Sequence, residues 1–191
     1  MKRPSDNELS VWHAWVAHQG FSYPVQMRGI TLAKDVALLE GRRLRAPLPK
    51  VGFDAFDRGA LADALPNPGG YLIASNKLRS LLERESNARI QFLPVRLKGH
   101  RKTYAIANIL ERAACFDRAR SQFKAYEDTG GISRLKKLVL KDVPIDGPEV
   151  FHLEGIRSVL LFKPRLRALM QEQMPSAGWF TPVSKFQIGY S

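Results

Sequence analysis

Two similar sequence segments occur in this chain, and they lie 88 residues apart. Residues 71–95 align with residues 159–183 without a gap, and seven of the 25 aligned positions are identical. Chance at ordinary residue frequencies would give about two identities. In both copies a short apolar run precedes a leucine-rich stretch with helical spacing, and the motif FxPV follows. Helix and strand periodicity alone does not require FxPV, so the alignment favours two similar strand–helix–strand units, at about 71–95 and 159–183, over coincident apolar spacing.

Each copy also carries a signal for the start of its helix. The hydroxyl of Ser75 is suited to accept a free amide hydrogen in the first helical turn. Pro164 suits the first turn of the second helix, where a missing amide hydrogen costs nothing. Apolar residues at i, i+3 and i+4 then share one helix face, which predicts the buried side. These residues are Leu78, Leu81 and Leu82 in the first copy, and Leu166, Leu169 and Met170 in the second.

Short apolar and β-branched runs elsewhere in the chain predict strands that are bounded by proline and glycine. We expect further helices over 33–40 and 57–70, the latter stopped by its prolines and glycines. The predicted strands outside the two units cover 9–18, 25–32, 103–110, 134–144 and 148–155. This mixture predicts an α+β fold with a mixed, largely antiparallel sheet or sheets and a few short helices.

The charge of the chain indicates what kind of partner it binds. Lys and Arg total 30 against 18 Asp and Glu, which gives a net charge of +12. Residues 71–191 hold +10 of this excess, so the charge belongs to the folded body rather than to a basic tail. Such a field favours acidic partners, namely nucleic acid, anionic lipid or an acidic protein surface.

Cysteine content and hydropathy indicate where the protein resides. The sequence has a single cysteine, Cys115, which excludes an internal disulfide and a thiolate zinc site and suits a reducing cytoplasm. The first 20 residues lack the continuous apolar segment of a signal peptide. The longest strongly apolar run, 159–162, is far too short to span a bilayer. We therefore expect a cytoplasmic protein with no membrane partner.

Residues with catalytic or metal-binding chemistry do not form a recognisable pattern. His13 and His18 are five positions apart, which suits neither a helical pair of metal ligands nor neighbours on one face of a strand. Carboxylate pairs such as Asp54 and Asp57 arise in any chain with 18 acidic residues. Cys115 is most simply a buried structural cysteine. We predict no catalytic residue, no cofactor and no metal site, and hence a protein that is not an enzyme.

Basic clusters are the strongest candidates for a binding surface. The stretch GRRLR supplies Arg42, Arg43 and Arg45, and KGHRK supplies Lys98 and Arg101. We predict that these five residues contact the partner. A basic nucleic-acid-binding protein is the alternative function, since clustered Lys and Arg suit a phosphate backbone. No recognition helix, zinc finger or aromatic-rich RNA-recognition strand accompanies them, so nucleic acid is the less favoured partner.

Several short sequence segments, in the order in which they occur along the chain, resemble those of a family of bacterial polymorphic-toxin immunity proteins. This family was formerly classed as a domain of unknown function. The resemblance covers roughly residues 40–185. It rests on LADALPNPGGYLIASNKLRSLLE, FLPVRLKG, YAIANIL, FDRARSQF, SRLKKLVLKD, PEVFHLEG, VLLFKPRLRALMQE and GWFTPV. It implies an α+β immunity-like domain over 41–191 without catalytic residues of its own. Residues 1–40 would then be a variable N-terminal segment packed on that body, within one structural domain.

The resemblance also implies a function in interbacterial competition. A protein of this kind is an antitoxin that binds a cognate secreted effector toxin and neutralises it by steric occlusion of its active site. No motif marks the toxin-facing surface, so the family suggests no contact residue in this chain. An inhibitor that imitates nucleic acid presents an acidic surface, whereas this chain carries +12. Either the toxin has an acidic interface, which would also associate faster at low salt, or the acidic residues of this chain cluster locally despite the net charge.

Overall fold

The computed structural model describes residues 8–13, 24–28, 30–45, 52–55, 60–67 and 69–189. The predictions made for residues 14–18, including His18, and for Asp57 lie outside these residues. Three α-helices occur in the described part of the chain: α1 (Leu32–Leu39), α2 (Asn76–Glu85) and α3 (Pro164–Gln173). A short 3-10 helix covers Val183–Lys185.

Both helix starts follow the predicted chemistry. The Ser75 hydroxyl accepts a hydrogen bond from the backbone amide of Leu78 at 3.2 Å, which caps α2. Proline occupies the start of α3. The predicted inner face of α2 is confirmed, because all three of its leucines are buried. In α3, Leu166 and Met170 are buried as predicted, whereas Leu169 is only half-buried.

Short strands make up most of the remaining regular structure. In chain order they are β1 (Ser10–His13), β2 (Pro24–Arg28), β3 (Gly52–Ala55), β4 (Ala64–Leu65), β5 (Ile73–Ser75), β6 (Ile90–Leu97), β7 (Tyr104–Ile109), β8 (Arg112–Ala113), β9 (Gln122–Ala125), β10 (Ile132–Lys137), β11 (Val150–Leu153), β12 (Leu160–Phe162) and β13 (Trp179–Pro182). The first sheet has the order β2-β3-β6-β7-β5-β4, and the second has the order β13-β1-β12-β11-β8. Strands β9 and β10 form a separate antiparallel hairpin. Most neighbours are antiparallel, while β3–β6 and β8–β11 are parallel, so the predicted α+β fold is confirmed.

The two strand–helix–strand units share one topology. In the first unit, β5 and β6 both pair antiparallel with β7, which lies between them, and α2 connects them. In the second unit, β12 and β13 both pair antiparallel with β1, and α3 connects them. Both helices have the same length, 10 residues, and they start 88 positions apart. The prediction of two similar units is therefore confirmed.

The register of the strands is also the same in both units. Ile106 of β7 pairs with Ile73 on one side and Leu93 on the other. Val11 of β1 pairs with Leu161 and Thr181. Each flanking residue of the second unit lies 88 positions after its counterpart in the first. The central strands break the sequence symmetry, because β7 follows its own unit whereas β1 comes from the beginning of the chain.

The core is layered, and the two helices lie in its centre. Side chains of α2, α3 and the facing surfaces of both sheets form one buried cluster. A second cluster lies between the second sheet and the β9–β10 hairpin, and a third joins the first sheet to α1. The repeated FxPV follows this arrangement, since Phe92 and Phe180 pack on the central cluster whereas Val95 and Val183 belong to the outer ones.

The helix predicted over 57–70 is wrong in the part that the structure describes. Residues 64–65 form strand β4 instead, in which Ala64 pairs with Ala74. The preceding Asp63 accepts a hydrogen bond from the Ser75 hydroxyl at 2.8 Å and another from the Ser176 hydroxyl at 3.1 Å. Tertiary pairing with the first sheet and these side-chain bonds outweigh the local helical tendency of an Ala/Leu sequence. The strand predicted over 134–144 is likewise shorter, because β10 ends at Lys137.

Candidate functional site

A surface cleft of about 590 Å³ opens beside the edge of the second sheet. Its walls are the loop that joins β9 to β10, the turn that joins β11 to β12, and the end of α1. Because Arg112, Arg118 and Arg157 all line it, we name it the arginine cleft. The three arginines come from β8, from the segment between β8 and β9, and from the β11–β12 turn. None of them belongs to a basic cluster that was predicted from the sequence, since they are neither adjacent nor periodic along the chain.

His152 of β11 also lines the cleft and is almost entirely buried, with 6% of its surface exposed. Its backbone amide donates to the carbonyl of Glu111 at 2.8 Å. Burial, with a smaller contribution from the Arg112 guanidinium, lowers the pKa of His152 to about 4. The imidazole is therefore neutral at pH 7. Its Nδ1 is buried and has no hydrogen-bond partner in the part of the chain that the structure describes.

Gly41, which ends α1, fits against this histidine. Its φ of +65° lies in the left-handed region that favours glycine. A β-carbon at this position would lie 2.5 Å from Cδ2 of His152 and 2.5 Å from the carbonyl oxygen of Ile109. The close approach brings the end of α1, with Glu40 and Arg42, to the edge of the cleft.

Two of the cleft arginines have carboxylate partners within the cleft. Arg112 lies 3.4 Å from Glu154, and both side chains are 40% exposed. Arg157 lies 3.3 Å from Glu40, which in turn lies 3.0 Å from Arg42. Exposed ion pairs of this kind contribute at most about 1 kcal/mol each to stability, because water already solvates the separated charges. Arg112 and Arg157 can consequently release these carboxylates and pair with others at a low cost in free energy.

Arg118 differs from its two neighbours because it has no carboxylate partner among the described residues. Its guanidinium carbon lies 4.8 Å from the ring centre of Phe123 and 5.7 Å from that of Phe116. Stacking on aromatic faces orients a guanidinium while leaving its N–H donors available. Tyr126, which also lines the cleft, is 55% exposed. The cleft thus combines an exposed aromatic ring with an oriented cation that no carboxylate of the described residues neutralises.

The predicted contacts Arg42, Arg43 and Arg45 are all exposed and continue from the edge of the cleft. Side-chain amides of the first sheet hold this segment. Asn108 donates to the Arg42 carbonyl at 2.9 Å, while Gln91 accepts from the Leu44 amide at 2.9 Å and donates to the Leu44 carbonyl at 2.8 Å. The three basic side chains therefore extend from a fixed backbone.

The predicted contacts Lys98 and Arg101 are also exposed, but they lie elsewhere. They occupy the turn that joins β6 to β7. Gln91, which holds the arginine segment, is at the opposite end of β6. The two basic groups are therefore separated by the length of this strand, about 20 Å. The structure places only the Arg42 group beside the cleft.

The outer face of the β9–β10 hairpin is also basic. Lys124 lies directly opposite Arg134 in the register of the two strands, and both side chains are exposed. Phe123 and Leu135, the next pair, face the core of the second sheet. Like charges opposite each other destabilise a sheet, so this arrangement does not serve the stability of the hairpin.

The other candidates from the sequence have structural partners or lie on the surface. His13 is within 2.9 Å of the Thr181 hydroxyl, and burial lowers its pKa. Burial raises the pKa of the Cys115 thiol, which is 1% exposed. His100 lies exposed in the β6–β7 turn.

Among the described residues, no group of three or more His, Cys, Asp or Glu side chains is placed to hold a metal ion. No helix in the described ranges is long and apolar enough to cross a membrane.

The fold and the cleft together define an α+β protein that carries a concave, arginine-lined depression on its surface. The sequence model of Imm11, an immunity protein family, matches residues 13–185. Since this match covers most of the chain, the protein belongs to the Imm11 immunity protein family. The match also begins well before residue 40, and so includes the segment that follows β1. No curated protein matches the chain.

Proposed function

We propose that this protein is an antitoxin that binds a cognate effector toxin and neutralises it by covering the toxin's active site. The observation that carries the proposal is the match to the Imm11 immunity family over residues 13–185. The architecture is compatible with it, because a layered, packed core with two central helices is the kind of preorganised body that commonly binds with little change of backbone. A stable interface would bury about 1,200–2,000 Å² in total.

We further propose that binding alone accounts for neutralisation, without catalysis by this chain. The buried histidine of the cleft is neutral at pH 7 because its pKa is lowered to about 4. Among the described residues, neither a nucleophile nor a carboxylate is its hydrogen-bond partner to complete a catalytic arrangement. The proposed site of action is the cytoplasm, where an injected toxin or one made by the same cell would be intercepted.

The charge of the chain supports a toxin with an acidic contact surface. A net charge of +12 attracts such a partner and accelerates encounter, particularly at low salt. Arg42, Arg43, Arg45, Lys98 and Arg101 remain the proposed contacts outside the cleft. Nucleic-acid binding is the second candidate, and the observation that favours it is the basic outer face of the hairpin, where Lys124 opposes Arg134.

Co-expression tests the proposal directly. A secreted-effector gene directly upstream of this one, where the genome carries it, supplies the candidate toxin, which is induced in a sensitive strain with and without this protein. We expect growth to recover and the two proteins to co-purify as a complex. A catalytically inactive toxin variant serves to measure the affinity without selection against the host. Continued growth arrest together with the absence of a complex would refute the antitoxin function. Tight binding to generic duplex DNA with a steep salt dependence would support the second candidate instead.

A further inference from the structure

We propose that the arginine cleft is the site where the toxin docks, and that it receives an acidic side chain from a toxin loop, with Arg118 as the principal anchor. The inference rests on the proposed antitoxin function and names the surface and the chemistry that carry it. The proposed anchor differs from the contacts predicted from the sequence, because Arg118 belongs to none of the predicted basic clusters.

Arg118 is the cation best prepared for an incoming carboxylate. It has no carboxylate partner among the described residues, and the rings of Phe123 and Phe116, at 4.8 and 5.7 Å, orient its guanidinium. A planar guanidinium donates two parallel hydrogen bonds to a carboxylate, which gives geometric specificity as well as affinity. Because stacking already restricts the side chain, little conformational entropy remains to be lost on binding.

The surroundings of Arg118 have the composition of a protein-binding hot spot. Tyrosine and arginine are enriched at such positions, and the 55%-exposed Tyr126 lies in the same cleft. A concave site also shields an entering ion pair from water more effectively than a flat surface does. The neutral His152 in the cleft adds no charge of its own, so the arginines determine the selectivity for an anion.

The carboxylates already present in the cleft favour a protein side chain over a nucleic acid. Glu154 pairs with Arg112 at 3.4 Å, and Glu40 pairs with Arg157 at 3.3 Å. These negative charges would repel a continuous phosphate backbone, which is best bound by an uninterrupted basic groove. A single carboxylate on an otherwise neutral or mixed loop satisfies Arg118 without this repulsion.

Arg79 provides a matched control for Arg118. Its guanidinium carbon also lies over a phenylalanine ring, 4.7 Å from the centre of Phe92, but it pairs with Glu83 of the same helix at 2.9 Å and does not line the cleft. Arg118→Gln and Arg79→Gln thus each remove one positive charge together with its cation–π contacts, two at Arg118 and one at Arg79, and the second variant also loses the ion pair with Glu83. Only the first removes the proposed anchor.

The test measures the affinity of each variant for the catalytically inactive form of the candidate toxin used in the co-expression experiment, by isothermal titration calorimetry at physiological salt. We expect Arg118→Gln to weaken binding by at least about tenfold, Arg79→Gln by less than about twofold, and Arg118→Lys to retain part of the affinity. Equal affinities for Arg118→Gln and the wild type would overturn the inference while leaving the antitoxin function intact. Failure of the wild type to bind the toxin at all would overturn both.

A second pair of variants protects the test against a folding defect. If Arg118→Gln lowers the melting temperature markedly, Tyr126→Ala replaces it, with Trp179→Ala as control. Trp179 is 54% exposed and lines a different depression beside Phe180. We expect only the change at Tyr126 to weaken the complex. An equal loss for both variants, or an Arg118-dependent affinity for duplex DNA in place of the toxin, would overturn the proposal.

Discussion

Gly41 and His152 are packed so closely that a β-carbon at position 41 would lie 2.5 Å from the imidazole Cδ2. This contact joins the end of α1 to β11, and hence the segment that carries Arg42 to the arginine cleft. The two residues are more than 100 positions apart in the sequence. Glycine is required here for two reasons, its φ of +65° and the absence of space.

We predict that Gly41→Ala destabilises the protein by about 2–5 kcal/mol, since it combines left-handed backbone strain with overpacking. Gly99→Ala is the control, because Gly99 has a φ of +79° but nothing within 4 Å of the added β-carbon. It should cost only the backbone contribution, about 1–2 kcal/mol. Urea unfolding of both variants measures the difference. Equal losses would show that the contact with His152 is not limiting.

The buried imidazole predicts a specific pH dependence of stability. The pKa of His152 is lowered to about 4 from 6.5, so between these values the unfolded chain binds more protons than the folded one. The contribution of the neutral His152 to the free energy of unfolding is therefore fully present above about pH 6.5. It is lost as the pH falls towards 4, by about 3 kcal/mol in all. His152→Gln should flatten the plot of unfolding free energy against pH between 6.5 and 4.5. The variant should keep a residual slope, because burial also lowers the pKa of His13. An unchanged slope would contradict the prediction.

Lys124 and Arg134 place two positive charges opposite each other in the hairpin. Reversing the charge at position 124 should therefore raise stability but slow binding. Lys124→Glu places a carboxylate opposite Arg134, which should stabilise the protein by about 0.2–1 kcal/mol at low salt. The double variant Lys124→Glu/Arg134→Glu restores like charges and should return stability to the wild-type level. Chemical denaturation of all four members of this cycle isolates the pairwise energy. Both variants should associate more slowly with an acidic toxin. A stability gain that persists in the double variant would exclude cross-strand repulsion as the cause.

The two groups of predicted contacts are separable by matched charge reversal. Neither Arg43 and Arg45 nor Lys98 and Arg101 form an ion pair with the described residues, so glutamate at either pair should cost little stability. We expect Arg43→Glu/Arg45→Glu to weaken the toxin complex more than Lys98→Glu/Arg101→Glu, because the first pair adjoins the arginine cleft. Surface plasmon resonance at two salt concentrations separates long-range electrostatic steering, which changes the association rate and depends on salt, from direct contact in the complex. A larger effect at Lys98 and Arg101 would place the interface at the β6–β7 turn instead.

The equivalence of the two units predicts equal energetic roles for matched leucines. Leu78 and Leu166 are both 0% exposed in the central cluster. Substitution of either by alanine should cost about 2–5 kcal/mol, since each leaves a cavity among packed side chains. Leu169→Ala, at a half-buried position of α3, should cost less. Thermal and urea unfolding measure the three losses. A small effect at only one of the buried leucines would show that the units are similar in topology but not in packing.

Much of this fold could be read from local patterns. The capping hydroxyl of Ser75, the proline at the start of α3 and the leucine spacing specified both helices and their buried faces. Such signals act between residues a few positions apart, so they are visible in a single sequence. The duplicated FxPV likewise indicated packing, and Phe92 and Phe180 do pack on the same central cluster.

The candidate site could not be read in the same way. Arg112, Arg118 and Arg157 come from three segments that become neighbours only when β8 pairs with β11 and the hairpin packs on the second sheet. The predicted basic clusters were accurate as to exposure. Sequence proximity to other charges, however, does not show which cation lacks a carboxylate partner, and Arg118 has no such partner among the described residues.

The sequence by itself determined the two strand–helix–strand units, the α+β class and the resemblance to immunity proteins, because each depends on periodicity or on order along the chain. Only the tertiary structure decided that β1 enters the second unit as β7 enters the first, that 64–65 form a strand, and that an arginine-lined cleft forms beside His152. The physical reason is that strand partners are selected by burial and hydrogen bonding between distant segments. Their identity is a property of the assembled sheets, and no local stretch of the chain encodes it.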